Sequence, residues 1–454
     1  MPGSHRLMIY LNFAKQKSRK CAKVSKKSQF SHTFACLLQK NIVPLPKTKL
    51  HFKFVQYHLM YKYIRKIEHE LLRLKGVFKV VTVTGPRQSG KTTLCKMAFP
   101  DYNYINLEDE TVLTEIELNR KSYIERYCHG LIIDEVQRMP ELLSTVQVVV
   151  DTVPDCNIVL TGSNNLLLSQ KVTQSLAGRT AVLNLLPLSL SELNENDLEL
   201  SDYDIMFRGF YPAVWSNHVP ATDAYRQYYN TYIQRDIRQL SNIRHLNEFR
   251  QFIVISASRI GCEFNAQSIS NELGVSQPTV QEWTNVLEAT FVAFRLQPFY
   301  RNIGKRLVKT PKVYFYDVGL VCYLLGITNA HQLETHPLRG QIFENMVIVE
   351  CMKHQFNHGL DNNLFFYRDK GQHEVDLVID DGLQTLKAFE VKLSPTIHPD
   401  FYKNLHYFRT LFEHETKLSM VINTGRDDTP DPITGHINYR NIDKFLSEPI
   451  AGQN

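Results

Sequence analysis

The sequence predicts an α/β protein of several domains, and three patterns along the chain support this prediction. A glycine-rich loop of the phosphate-binding type follows a short run of β-branched residues that ends at residue 84. Two helices joined by a tight turn are predicted between residues 266 and 290. Three short apolar stretches between residues 364 and 392 alternate with turn signals, as in a small sheet. At 454 residues, the chain is long enough for about two to four domains, each with its own core.

The composition is that of an ordinary globular protein, with 43% hydrophobic and 22% charged residues. No run of about 18 apolar residues occurs, so no membrane span is expected. The eight cysteines are scattered without a C-x-x-C pair, which argues against a zinc knuckle or a disulfide framework and suits a reducing cytosol. We therefore expect a cytoplasmic protein that has no membrane partner.

The net charge of +6 comes from one basic arm at the N-terminus. Residues 1–67 hold 15 of the 52 Lys and Arg and none of the 46 Asp and Glu, so the rest of the chain is mildly acidic. Such an arm suits nucleic-acid contact or a targeting peptide. The alternative, which we favour, is that residues 1–59 are disordered or an extension of the reading frame, because Met60 directly precedes the first predicted helix.

The motif GPRQSGKTT follows the predicted strand 78–84 and precedes a predicted helix. Its glycines let the backbone curl so that successive N–H groups face phosphate oxygens, and the helix adds the positive end of its dipole. We expect Lys91 to reach the β- and γ-phosphates and the Thr92 hydroxyl to bind Mg²⁺. The whole motif is expected to bind ATP and consists of Gly85, Pro86, Arg87, Gln88, Ser89, Gly90, Lys91, Thr92 and Thr93.

An acidic strand end, LIIDE, follows about forty residues later and supplies the carboxylates that such a loop needs. We expect Asp134 to hold Mg²⁺ through its water shell and Glu135 to polarise the attacking water. The next predicted strand ends in TGSN, which places Ser163 and Asn164 to sense the γ-phosphate, unless they only cap the next helix. No Asn-Lys-x-Asp motif occurs after the loop, which favours adenine over guanine.

Arg179 follows a short predicted helix in the stretch SLAGR. As a finger on a neighbouring subunit's nucleotide, it would neutralise charge in the transition state, and the protein would then be a homo-oligomer. A salt bridge at the helix end is the alternative, and the sequence favours neither.

Several stretches occur together in an order that resembles a large family of prokaryotic ATP-binding proteins. They are GPRQSGKTTL, NLED, LIIDEVQRMPELL, LTGSNNLLL, SLAGR, LPLSLSEL, GFYPAVW, YYNTYIQRDI, FYDVGL and FYRDKGQHEVDLVI, and they cover residues 60–400. Members of this family join an AAA-type ATPase domain to a C-terminal domain of unknown function. The resemblance implies an AAA-like P-loop NTPase with a parallel sheet over residues 60–195, followed by a helical lid and winged helix over residues 196–330.

The middle segment also shows helix-turn-helix spacing in its residues. A helix over 266–273 meets a turn at Gly274, and a second helix carries Pro278 in its first turn. The segment 299–313 would be the wing of a winged helix, as the resemblance implies. DNA is a candidate partner because five basic side chains in this segment offer phosphate contacts, although the second helix contains no Lys or Arg. These five are Arg301, Lys305, Arg306, Lys309 and Lys312. The alternative is that the winged helix serves as a lid or as a protein-contact module.

The C-terminal part, residues 331–450, carries Glu-x-Lys on the last of three predicted strands. Glu390 and Lys392 project from one face, Asp376 lies on the neighbouring strand, and Glu344 comes from the preceding amphipathic helix. This set resembles the restriction-endonuclease-like fold, which implies that Asp376 and Glu390 bind Mg²⁺, supported by Glu344, and that Lys392 orients or activates water. The alternative is a salt-bridge network without catalysis.

The leading hypothesis is a Mg²⁺-dependent AAA-type ATPase whose nucleotide state controls the winged-helix and nuclease-like module. One alternative is a nucleotide-bound switch with a non-catalytic, protein-interacting C-terminal domain. A second is a Mg²⁺-dependent nuclease regulated by ATP.

Overall fold

The computed structural model describes residues 63–163, 176–217, 219–231, 245–300, 310–382, 385–429 and 431–448. Several sequence predictions fall on other residues. The basic arm 1–59, Asn164 and four basic side chains of the predicted wing lie outside the described residues; these four are Arg301, Lys305, Arg306 and Lys309.

A five-stranded parallel sheet forms the N-terminal part and confirms the predicted α/β architecture with a parallel sheet. Its order is β2-β3-β4-β1-β5. The strands are β1 (Val80–Thr84), β2 (Asn103–Asn106), β3 (Leu131–Asp134), β4 (Ile158–Gly162) and β5 (Thr180–Asn184). Parallel neighbours need helical crossovers. In the described part of this stretch, which leaves out residues 164–175, five helices precede or link these strands: α1 (Glu68–Lys75), α2 (Lys91–Ala98), α3 (Glu110–Leu118), α4 (Arg120–Tyr127) and α5 (Leu142–Thr152).

Both faces of this sheet are covered, which explains why its central strands read as unbroken apolar runs. Leu131 and Ile133 of β3 pack into the layer that contains α3, α4 and α5. Ile132, between them, packs into the opposite layer with α1 and α2. Successive side chains of a strand point to opposite faces, so one short run serves both layers.

Helix α1 begins at Glu68, later than the stretch YKYIRKIEHELLRL suggested. Residues 63–67 precede it and are held by tertiary contacts. The Arg65 side chain is buried, and the backbone N–H of Lys66 donates to the Glu192 carboxylate at 2.7 Å. These bonds to a distant segment fix the residues before Glu68 in their own conformation.

Seven helices follow among the described residues up to Ala289, and two of them have the spacing that the sequence predicted. They are α6 (Glu195–Leu198), α7 (Asp202–Arg208), α8 (Pro212–Ser216), α9 (Ala221–Tyr228), α10 (Leu246–Ser258), α11 (Ala266–Leu273) and α12 (Gln277–Ala289). α11 ends at Gly274, whose φ of 66° is left-handed. Ser276 then caps α12 by accepting from the Thr279 N–H at 3.2 Å. Ile269, Val280 and Leu287 form the inward face of the two helices and are buried.

A seven-stranded mixed sheet forms the rest of the described chain, in the order β12-β11-β10-β9-β8-β6-β7. Its strands are β6 (Ala293–Pro298), β7 (Lys312–Phe315), β8 (Leu364–Arg368), β9 (Glu374–Asp380), β10 (Leu386–Val391), β11 (Thr416–Asn423) and β12 (His436–Asn438). The accompanying helices are α13 (Val318–Leu324), α14 (Ala330–Thr335), α15 (Arg339–Asn357), α16 (Lys403–Leu411) and α17 (Ile442–Ser447).

Strands β8, β9 and β10 form the expected antiparallel meander. β6 pairs with β7 in antiparallel fashion and with β8 in parallel. The middle and C-terminal segments therefore share one sheet. One hydrophobic core contains buried residues from Leu186 to Ile442, together with Tyr63. Helix α15, most of whose residues are buried, lies in this core.

No helix in the described part of the chain combines the length and the apolar character that a bilayer crossing requires.

A substitution at Asn345 of α15 tests how much the bonds between this helix and the edge strand β7 stabilise the fold. Its fully buried amide accepts from the Phe315 N–H and donates to the Phe315 carbonyl, both at 2.7 Å. Asn345→Ala leaves both groups of the β7 end unpaired, and we expect it to lower the free energy of unfolding by about 2–5 kcal/mol. Urea denaturation measures this change.

Asn271→Ala is the matched control, because Asn271 is exposed on α11. It should change the free energy of unfolding by about 0.5 kcal/mol or less. Equal effects of the two substitutions would contradict the role given to Asn345.

Candidate functional site

The loop between β1 and α2 has the conformation that its glycines permit. Gly85 has a φ of 147°, and a Cβ there would lie 2.1 Å from the Leu185 carbonyl oxygen. Gly90 has a φ of 97° and directly precedes Lys91, the first residue of α2. Gln88 also has a positive φ, of 64°. Because the Leu185 backbone lies so close, there is no room for a side chain at Gly85, and this position of the loop requires glycine.

The ammonium of Lys91 lies inside this loop. It donates to the carbonyl oxygens of Gly85 and Pro86 at 3.1 and 2.9 Å. Burial lowers the pKa of Lys91, while the nearby carboxylates of Glu135 and Asp134 oppose this effect. A buried ammonium at the start of a helix is suited to an anion such as a phosphate. The predicted phosphate-binding residues are thus brought together around one buried cation.

Asp134 lies at the carboxyl end of β3 and gathers three hydroxyl groups. It accepts from the Thr92 hydroxyl at 2.7 Å, from the Tyr104 hydroxyl at 2.8 Å and from the Thr161 hydroxyl. The side chain is 4% exposed. A carboxylate beside a threonine hydroxyl is an oxygen-only donor set, which fits the hard cation Mg²⁺. Thr92 and Asp134 are the residues that would hold this ion.

Glu135 follows Asp134 in a left-handed conformation, with a φ of 57°. Its N–H donates to the Thr161 hydroxyl at 3.3 Å. Its carboxylate accepts from the Gln137 amide and from the Ser163 hydroxyl, the latter at 3.3 Å. Ser163, a predicted site residue, therefore orients the carboxylate of Glu135 in this structure. A non-glycine residue at positive φ beside a functional motif is typical of active sites.

Two arginines that the sequence singled out form ion pairs with acidic side chains, Arg87 in the loop and Arg179 at the opposite edge of the sheet, where β5 begins. Arg87 bonds to Glu108 of the NLED stretch at 3.2 Å. Arg179 forms a bidentate pair with Asp151 at the end of α5, with distances of 2.6 and 2.9 Å. This is the salt-bridge arrangement that the sequence left open for Arg179. A role as a finger toward another subunit stays a prediction.

Sequence reasoning missed three side chains of this site. Tyr104 bonds to Asp134, Gln137 bonds to Glu135, and Arg65 donates to the Ser89 carbonyl at 2.7 Å. Tyr104 and Gln137 each lie within or beside a stretch that the sequence had already singled out by other residues. Their roles depend on strands and loops that meet only in the folded protein.

A second group of ionisable side chains consists of buried carboxylates on β9 and β10 and the half-buried Lys392, which directly follows β10. Asp376 accepts from the Val391 N–H at 2.8 Å and from the Lys392 ammonium at 3.4 Å. Lys392 also pairs with Glu390 at 2.6 Å. The second carboxyl oxygen of Glu390 is buried and has no hydrogen-bond partner among the described residues. The predicted Asp376, Glu390 and Lys392 are therefore brought together.

Glu344 joins this group through a lysine that the sequence had assigned elsewhere. Lys312 pairs with Glu374 at 2.5 Å and with Glu344 at 3.5 Å, and the Tyr314 hydroxyl bonds to Glu344. Lys312 is 3% exposed, so the prediction that it contacts nucleic-acid phosphate is wrong. Strand β7 belongs to the same sheet as β9 and β10, so Lys312 lies beside the buried carboxylates and neutralises their charge.

Burial raises the pKa of two carboxyl groups in this cluster. It raises the pKa of Glu390 to about 8, with Asp376 acting in the same direction and Lys392 against it. It also raises the pKa of Glu344 to about 7, opposed by Lys312. Carboxyl groups that share a site in this way favour a bound cation.

A third group, His354, His358 and Asp443, has ligand atoms that all lie within 4.8 Å of one another. Asp443 already pairs with His354 at 2.9 Å and with Lys66. These bonds lower the pKa of the Asp443 carboxyl, although burial acts in the opposite direction. The group is thus an ion-pair network between the residues before α1 and helices α15 and α17.

The raised pKa of Glu390 makes stability depend on pH. The folded protein retains this proton up to about pH 8, whereas the unfolded chain releases it near its ordinary value of 4.5. The stabilising contribution is therefore complete below pH 4.5 and is lost as pH rises toward 8. Glu390→Gln carries no such proton, so its stability relative to the unmodified chain should rise by about 2 kcal/mol or more between pH 5 and 9.

Urea denaturation at both pH values, in a chelator, measures this difference. Glu413→Gln, at an exposed carboxylate, is the control for the loss of one charge. A stability difference that stays constant across the range for Glu390→Gln would contradict the assignment.

Three family models match consecutive parts of the chain. An "AAA domain" matches residues 77–194, "Domain of unknown function (DUF8612)" matches 200–331, and "Domain of unknown function (DUF4143)" matches 339–440. The resemblance to AAA-domain proteins with C-terminal domains of unknown function is thereby confirmed.

Among solved structures, the chain is similar to the Walker-type ATPase PABY2304 of Pyrococcus abyssi. The identity is 15%, the TM-score is 0.38, and the match covers 57% of this chain and 94% of that chain. It is also similar to the RuvB Holliday junction branch migration motor of Thermotoga maritima, at 18% identity and a TM-score of 0.27, over 50% of this chain and 88% of that one.

Two relatives match most of their own length. The uncharacterized protein MJ1544 of Methanocaldococcus jannaschii is 25% identical over 334 residues, which cover 66% of this chain and 72% of that protein. The uncharacterized protein Rv2008c of Mycobacterium tuberculosis is 30% identical over 322 residues, which cover 70% of this chain and 71% of that protein. The chain belongs to the family of this mycobacterial protein and carries, in order, an AAA domain and two domains of unknown function.

Proposed function

We propose that this protein binds ATP and hydrolyses it with Mg²⁺. The observation that carries the proposal is the hydrogen bond of 2.7 Å between Thr92 of the loop and Asp134, which stands next to the oriented carboxylate of Glu135. A phosphate cradle, an oxygen pair for a cation and a candidate base are thus adjacent. These are the parts that phosphoryl transfer to water requires.

Each residue has a distinct task in this proposal. The loop N–H groups and Lys91 hold the β- and γ-phosphates, and Lys91 neutralises their charge. Glu135, fixed by Gln137 and Ser163, orients and polarises the water that attacks the γ-phosphorus. Mg²⁺, when held by Thr92 and Asp134, neutralises charge on the phosphate oxygens.

Glu135→Gln tests hydrolysis against the alternative of a nucleotide-bound switch with little turnover. The amide cannot accept a proton from water, so we expect kcat for phosphate release by the full chain to fall by about 100-fold or more, with ATP still bound. Lys91→Ala should lose both binding and turnover. A steady-state phosphate-release assay with Mg²⁺ measures these effects.

Glu117→Gln, at an exposed carboxylate of α3, is the matched control and should leave turnover unchanged. An unmodified chain that binds ATP but releases phosphate no faster than Glu135→Gln would refute hydrolysis. The nucleotide switch would then be the better account.

A second candidate function belongs to the C-terminal group of carboxylates. The buried, unpartnered oxygen of Glu390 beside Asp376 and Lys392 favours a divalent-cation site of the nuclease type. In this proposal Asp376 and Glu390 hold Mg²⁺, Glu344 supports them, and Lys392 orients water. DNA is the proposed polymer, contacted by this group and by the winged helix that we propose for α11, α12, β6 and β7.

Nicking of supercoiled DNA tests this second function. We expect Mg²⁺-dependent nicking by the full chain, reduced about 100-fold or more in Asp376→Ala and Lys392→Ala because each loses one part of the metal and water site. ATP binding should survive both changes. Lys417→Ala, at an exposed lysine of β11, is the control. Nicking that persists in both site variants would come from another source and would refute the assignment.

A further inference from the structure

One arginine outside the recognised motifs connects the phosphate-binding loop to a distant segment. Arg65 precedes α1 and is 7% exposed. Its guanidinium donates to the Ser89 carbonyl at 2.7 Å and to the Leu186 carbonyl at 2.6 Å. Its Nε donates to the Glu192 carboxylate at 3.1 Å. All three nitrogens of the guanidinium are thus used, one on the loop and two on the segment 186–192.

The bond to Ser89 determines how the loop presents a donor. The Ser89 carbonyl and the Gly90 N–H belong to one trans peptide unit, so they point in opposite directions. By holding the Ser89 oxygen on its own side, Arg65 directs the Gly90 N–H to the other side. This N–H is one of the loop donors expected to face phosphate.

The segment 186–192 is in turn bound to helix α15. The N–H of Leu190 donates to the Glu350 carboxylate at 2.7 Å. The ammonium of Lys353 donates to the Leu188 carbonyl at 2.8 Å and to Glu350 at 2.7 Å. One short segment is therefore held between Arg65 on one side and two charged residues of α15 on the other.

The charged members of this network are withdrawn from water. Glu192 is 6% exposed, Glu350 is 5% exposed and Lys353 is 2% exposed. In such surroundings a charged hydrogen bond has no competing water, and a displacement at one end leaves a buried charge unpaired. Movement at one end of the network is therefore costly unless the bonds at the other end adjust.

We propose that Arg65 is a positioning residue that couples the nucleotide site to helix α15. Occupation of the loop by phosphate stabilises the orientation of the Ser89–Gly90 peptide, which strengthens the hold of Arg65 on the segment 186–192 and hence the packing of α15. The same helix carries Glu344 of the second site. The inference rests on the proposed binding of ATP. Through this chain of bonded residues, nucleotide binding would affect the C-terminal part of the protein.

Amide hydrogen exchange of the full chain tests this coupling, with and without a non-hydrolysable ATP analogue and Mg²⁺. In the unmodified chain, nucleotide should slow exchange in residues 339–357 by about fivefold or more, the lower end of allosteric coupling. In Arg65→Lys the slowing should disappear, because a lysine keeps the charge but not the three-way fork. Protection of residues 85–92 by the analogue should remain.

The affinity for the analogue gives a second readout. Because Arg65 holds the Ser89–Gly90 peptide in the orientation that phosphate needs, Arg65→Lys should raise the Kd of the analogue, by about fivefold or more. Arg73→Lys is the matched control on α1, since the bonds of the Arg73 guanidinium go to Glu70 of its own helix. It should change neither exchange nor affinity.

The paired replacement Glu350→Gln with Lys353→Met breaks the network at its other end. It removes both buried charges together, so it leaves no single charge unpaired and keeps the test valid if Arg65→Lys does not fold. It should also abolish the response of residues 339–357.

A response that survives in Arg65→Lys or in the paired variant would overturn the coupling. So would a chain that binds the analogue without slowing exchange in residues 339–357. Absence of binding by the unmodified chain would instead refute the proposed function, and the coupling with it.

Discussion

The carboxylate of Asp134 is the constraint on which the proposed nucleotide site depends. Parallel strands end at the same edge of a sheet, so β3 and β4 deliver Asp134 and Thr161 to one place. The loop after β1 brings Thr92 to the same carboxylate, and β2 brings Tyr104. One buried anion thus ties four parts of the sheet together, and three hydroxyl donors offset the cost of burying it.

The second constraint is the extensive burial of charge between the two sheets. Arg65, Glu192, Glu350 and Lys353 contribute little net stability as pairs, since the loss of hydration offsets much of their attraction. Their geometry is specific, however, because each group has its partners at hydrogen-bond distance. The network therefore contributes more to the positions of these residues than to the free energy of unfolding. It determines how the segment 186–192 lies between Arg65, which binds the phosphate-binding loop, and helix α15.

The same argument applies to the C-terminal group, where two lysines stand among four carboxylates. Lys312 and Lys392 approach the group from different strands, β7 and the end of β10. With both ammonium groups in place, the carboxylates form a compact ionic cluster within the fold. The raised pKa of Glu390 shows that this compensation is incomplete. An incompletely compensated buried carboxyl is a candidate for cation binding.

Local patterns predicted much of this protein from its sequence. The glycine-rich loop, the Asp134 strand end and the α11–α12 turn were predictable because their signals lie within a few residues of one another. Arg65 was not, because its partners Ser89, Leu186 and Glu192 lie 24, 121 and 127 residues away. The residues before α1 look helical in sequence, but tertiary bonds to Glu192 decide their conformation.

Long-range strand pairing accounts for the remaining error. Lys312 lies in a basic stretch that suggested contact with phosphates, yet it is buried against Glu374, 62 residues further along the chain. The parallel pairing of β6 with β8 brings Lys312 and Glu374 together, and no local sequence pattern predicts this pairing. The antiparallel meander β8–β9–β10 was predictable because its strands follow one another in sequence and are joined by short turns.

The most direct test of this account is the Mg²⁺ dependence of ATP affinity in Asp134→Asn, measured by calorimetric titration of the full chain. The asparagine keeps the shape of the side chain and removes the charge that would hold the ion. The account predicts that Mg²⁺ tightens ATP binding to the unmodified chain by about tenfold or more and leaves the affinity of Asp134→Asn unchanged. Equal tightening in both proteins would contradict the assignment of Asp134 as the ligand that organises the site.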